Sequence, residues 1–227
     1  MSKKRISVTI PPSAVILLLI VPLCNAVLRI VYSAVVGNVL YDLLTNGLSL
    51  VMYALSILSL YAGLGYVVRA CLHRFPFVPY TVMYALGLIL TYAGEIVSYR
   101  LFMTEEAFAS ALGYTLTTNL LNLGIEAVLF AVTILITNIA SAKYGVPSAS
   151  EYTKNPFKKA KGNLFVLIPV GICFTNSFAW AVASTIVDLV SVGPPINLTE
   201  VVYLASPYLL ILVTAIFGTF TVSKVLR

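Results

Sequence analysis

The chain has 227 residues, 60% of them hydrophobic and 10% charged, with a formal net charge of +6 and a mean hydropathy of +0.99. A soluble domain carries about 25% charged residues and roughly 45–50% apolar ones, and a globule of this length keeps too much surface to hide the excess. Soluble enzymes, disordered tails and fibrous repeats are excluded, and three cysteines exclude a disulfide scaffold. The expected fold class is therefore all-α: a polytopic membrane protein with six transmembrane helices in one bundle, forming a single integral membrane domain over residues 1–227.

A membrane-crossing helix needs about 20 mostly apolar residues. In chain order such stretches predict helices over 11–36, 46–70, 77–99, 118–141, 163–188 and 200–223. The first has too long an apolar core for a cleaved leader and no A-x-A-like site, so it is expected to remain as a helix. The second and third resemble each other: residues 51–69 and 82–100 agree at nine positions, among them Tyr53/Tyr84, Gly63/Gly94 and Arg69/Arg100. Shared apolar composition accounts for this as readily as an inverted repeat does. The second copy carries Glu95 where the first has Leu64.

Ahead of the fourth span, Thr104 can cap a helix whose first turn holds Glu105 and Glu106, and a short interfacial helix is expected there. The loop from Lys143 to Gly162 is basic and is expected to lie on lipid headgroups. Pro22, Pro169 and Pro207 fall inside spans and should kink them. Ser33/Gly37, Ala127/Ala131 and Ala179/Ala183 are small pairs expected to pack helices within the chain. Tyr41, Tyr114, Tyr144 and Tyr203 fall near span ends, as in an interfacial belt.

Lys and Arg accumulate on the cytoplasmic side of membrane proteins. With the N-terminus inside, twelve of the 14 basic residues fall inside, from Lys3, Lys4 and Arg5 to Lys224 and Arg227. Asp42, Glu105, Glu106, Asp188 and Glu200 fall outside, and Glu151 is inside. Both termini are expected in the cytoplasm.

Arg29, Glu95 and Glu126 lie within spans, where a charge costs on the order of 2.5–3.5 kcal/mol on translocon scales. All three are expected in the outer half, with Arg29 and Glu126 each roughly 10 Å below the surface. Helical spacing puts Asn25 and Tyr32 on the face of Arg29, Thr91 and Ser98 with Glu95, and Asn119 and Asn122 with Glu126. Asn176 and Trp180 share a face of the fifth span. Two readings follow. In one, Arg29 pairs with Glu95 or Glu126 and only sets helix register. In the other, Arg29, Glu95, Glu126, Asn122, Asn176 and Trp180 line an outer pocket for a small polar or zwitterionic ligand.

Catalytic motifs are not found. His73 is the one histidine, and no H-E-x-x-H, G-x-S-x-G or P-loop pattern occurs. No catalytic residue, metal site or cofactor is expected. Cys24, Cys71 and Cys173 read as small packing residues. Asn197-Leu198-Thr199 is a lone glycosylation sequon. No soluble basic domain exists to bind nucleic acid, so the expected partners are the lipid bilayer, a small polar ligand or another membrane protein.

Size, six spans, an inside N-terminus and an outer polar cluster resemble the substrate-binding subunits of energy-coupling-factor vitamin transporters. The resemblance is architectural and transfers no residues. It implies a small-molecule membrane transporter, or the membrane-embedded substrate-binding subunit of one. The alternative is a non-catalytic accessory or assembly protein that binds another membrane protein. The compact loops point to a multi-pass protein of a bacterial inner membrane.

Overall fold

A computed structural model describes residues 10–35, 42–73, 77–155, 157–195 and 197–227, with side chains of the second helix from Gly47 onward. Expectations for Lys3, Lys4, Arg5, Gly37, Tyr41 and Arg74 lie outside the described residues. Six helices make up nearly all of the rest: α1 (Pro12–Val35), α2 (Asp42–His73), α3 (Phe77–Phe102), α4 (Glu105–Tyr144), α5 (Ala160–Val192) and α6 (Leu198–Leu226). Each is long and apolar enough to cross a membrane.

The sequence explains where the helices start and stop. Pro12 begins α1, where its fixed φ suits a first turn and its missing N–H costs nothing. Thr104 caps α4 by accepting from the Ala107 N–H at 3.4 Å. The expected short helix over 105–117 does not end there. It continues as α4 for 40 residues, roughly 60 Å, because no proline interrupts it and Gly113 alone does not break the ladder. Gly145 and Gly193 close α4 and α5 with φ of 71° and 94°, a region that glycine enters without strain. Asn197 and Glu200 form a capping box on α6, with the Glu200 N–H donating to Asn197 Oδ1 at 3.0 Å. The asparagine of the sequon is therefore a helix cap.

Helix α2 is the hub and touches each of the other five. The closest pair is α1 and α3. A π-helical turn, Ile16–Ile20, precedes Pro22, while α5 and α6 run through Pro169 and Pro207 without an interruption. At this turn the Leu18 carbonyl presses against Gly87, and seven residues on Gly94 lies against Ala26, where an added Cβ would come within 2.5 Å of the Ala26 Cβ. Ser33 and Ser98 join hydroxyl to hydroxyl at 2.5 Å above them. Of the small pairs read from the sequence, Ser33 makes a helix contact. Ala127, Ala131, Ala179 and Ala183 are exposed, and close approach is made at glycines instead, Gly87 and Gly94 of α3 among them. Cys173 is buried in the core, but Cys24 is exposed and is not a packing residue.

One end of the bundle gathers Lys143, Lys161, Lys224 and Arg227, and the loop there folds back onto it. Tyr152 is 1% exposed and joins Val68, Phe165 and Leu226 in the core. Buried Asn163 accepts from Thr153 Oγ1 at 2.9 Å and donates to the Asn155 carbonyl at 2.6 Å. The Arg227 guanidinium donates to the Tyr152 carbonyl at 2.8 Å. The segment is thus pinned to α5 and α6, while Lys154, Lys158 and Lys159 stay exposed.

Candidate functional site: a polar cavity among five helices

A cavity of about 540 Å³ opens between α1, α2, α3, α4 and α5. Arg29, Asn122, Glu126, Asn176 and Trp180 all line it. Glu95 does not, for a physical reason: its Oε2 is drawn to Arg29 Nη1 at 3.2 Å. Its other oxygen accepts from the Tyr99 hydroxyl at 3.1 Å. The pair is partly covered, with side-chain exposures of 30% and 17%. Arg29 and Glu95 thus settle one question left open by spacing, namely which acid Arg29 takes.

Glu126 is bound differently. Its Oε2 accepts from the Tyr84 hydroxyl at 2.8 Å, and it has no ion-pair partner among the described residues. Tyr84 is aimed by its packing. Gly63 of α2 leaves room for the ring, since a Cβ there would lie 2.9 Å from it, and the Phe130 ring packs alongside with centroids 5.0 Å apart. Glu95 and Glu126 do not share one level along the bundle. Tyr84 and Glu95 stand eleven residues apart on α3, about three turns, so the acids sit at two levels. The reason is the length of α4: it starts at Glu105, not near 118, and leaves Glu126 about half-way along it. Tyr92, between Tyr84 and Glu95 on α3, also lines the cavity.

The floor of the site is fixed by a chain of three groups. Asn25 is 1% exposed and its Nδ2 donates to Ser56 Oγ at 2.7 Å. Ser56 in turn gives its hydroxyl proton to the Met52 carbonyl at 3.0 Å. A hydroxyl has one proton, so Ser56 can only accept from Asn25. That orients the amide and leaves Asn25 Oδ1 buried with no hydrogen-bond partner among the described residues.

Spacing alone found the contributions of α1, α4 and α5 but missed α2 entirely. Ser56 and Ser59 line the cavity from it, and their i, i+3 spacing was a readable signal. Tyr84, Tyr92, Thr118 and Ser177 also line it, and nothing in their spacing set them apart from other tyrosines and hydroxyl residues. Ser98 is taken up in its bond to Ser33, away from the cavity.

No family model, curated protein or solved structure matches the chain. With Arg29 and Glu95 neutralising each other, Glu126 is an acid without a counter-charge in a low-dielectric setting. It is backed by a tyrosine donor and faces hydrogen-bonding groups from five helices.

Proposed function

We propose that the chain is a multi-pass protein of a bacterial inner membrane, with both termini cytoplasmic. In this reading it is a small-molecule transporter or the membrane-embedded substrate-binding subunit of one. The basic cluster at one end of the bundle supports the orientation, since Lys and Arg collect on the cytoplasmic side. The observation that carries the function is Glu126. An ionisable group inside a membrane bundle is costly to keep, and register alone is already served by Arg29 and Glu95. The cavity also falls within the roughly 300–1,000 Å³ usual for small-molecule sites.

The test is a thermal-shift screen of purified protein in nanodiscs against small polar solutes of each charge. A ligand at 100 times its Kd should stabilise the protein by about 2.7 kcal/mol. Glu126→Gln should remove that response and leave the unliganded Tm unchanged or higher. A protein that responds to no solute, and co-purifies in fixed ratio with a second membrane protein, would replace this reading with the accessory one.

A further inference from the structure

We infer that the cavity selects a cationic ligand, a small organic ammonium of roughly aromatic-amine size, with Glu126 as its counter-ion. The inference rests on the binding reading above and narrows it.

The Arg29–Glu95 pair argues against the zwitterion expected from the placement of Arg29 and the acids. Arg29, the cation that would take a carboxylate, already holds Glu95 at 3.2 Å. Besides the Arg29 Nε–H, which is buried without a hydrogen-bond partner among the described residues, the groups left over include two acceptors. Glu126 spends one oxygen on the Tyr84 hydroxyl. Asn25 lines the cavity, and its Oδ1 is buried and unpartnered among the described residues. A buried acceptor without a donor is costly, on the order of 1–3 kcal/mol. A primary ammonium brings three donors and one positive charge, and so satisfies an acceptor and an acid together. The apolar part of the ligand has Trp180 and Tyr92 to pack on, and both rings also favour a nearby cation.

The probes are phenethylamine, its neutral analogue phenethyl alcohol, and phenylacetate, measured by calorimetry on the full chain in nanodiscs. Phenethylamine should bind saturably, and the other two should bind at least tenfold more weakly. Glu126→Gln should weaken the amine at least tenfold with no effect on the alcohol. Should that variant fail to fold, Asn25→Leu and Tyr84→Phe serve instead. The first removes the free acceptor and should weaken the amine. The second keeps the acid and should retain the preference for amine over alcohol. Equal binding of amine and alcohol, tighter binding of phenylacetate, or undiminished amine affinity in Glu126→Gln would each overturn the inference. Tighter binding of phenylacetate would do so while leaving the broader binding reading intact. Binding of none of the three overturns the cationic site, and the solute screen above then decides the broader reading.

Discussion

At the scale of single residues, Arg29, Glu95 and Glu126 look alike in sequence and have different work in the fold. Arg29 and Glu95 hold α1 against α3. Removing one partner strands the other, and a broken buried pair costs roughly 3–5 kcal/mol. Partial exposure of this pair puts the expected loss for Arg29→Ala at the lower end of that range. The double change Arg29→Met with Glu95→Leu should recover most of it, because replacing both partners with apolar groups is often neutral. A double-mutant cycle on chemical unfolding in detergent checks this, and additive losses would show that the two side chains do not act as a pair. Glu126 behaves in the opposite way, since its neutral glutamine variant should fold at least as well. The sequence made Arg29 and Glu126 visible because charges in apolar runs are rare. It could not say which acid Arg29 takes, since that depends on Glu95 and Glu126 lying at different levels.

At the scale of helices, the α1–α3 contact depends on missing side chains. A Cβ on Gly87 would collide with the Leu18 carbonyl, a backbone atom that cannot rotate away. Gly87→Ala should therefore destabilise by about 1–3 kcal/mol. Gly113→Ala, in open space on α4, should be neutral or slightly stabilising. Comparing the two Tm values separates tight packing from ordinary helix propensity. The turn Ala149–Glu151 offers a pH test. The Ser148 N–H donates to Glu151 Oε2 at 2.7 Å and holds that carboxyl below its ordinary value. Its contribution is present above the unfolded pKa near 4.3 and is lost as pH falls through the lower folded value. The protection of the Ser148 amide against exchange, taken relative to the intrinsic rate at each pH, should therefore fall on acidification below about pH 4, and Glu151→Gln should remove that dependence. Helix existence was legible because apolar runs of this length have few alternatives. The extent of α4 was not, since its first dozen residues are polar enough to resemble a loop and only a continuous hydrogen-bond ladder joins them to the span.

At the scale of the whole molecule, α2 sets the arrangement. It meets every other helix, and half of its most apolar window is buried. Its core positions, such as Leu64, Tyr66 and Val68, are covered by neighbours on all sides. Its share of the cavity is carried by Ser56 and Ser59, whose i, i+3 spacing was readable but whose small hydroxyl side chains pass as packing residues in an apolar run. The apparent repeat between α2 and α3 illustrates the same limit. Gly63 makes room for Tyr84, whereas its counterpart Gly94 admits α1 at Ala26. Tyr84 binds Glu126, whereas its counterpart Tyr53 is 37% exposed. Matching residues therefore do unlike jobs. The most direct test of the cavity as a binding site is native mass spectrometry of the chain released from nanodiscs after incubation with a pooled set of small solutes. The account predicts one solute bound per chain in the native protein and none in Glu126→Gln. A native chain that emerges bare from every pool, or a glutamine variant that carries the same solute as the native chain, would contradict it.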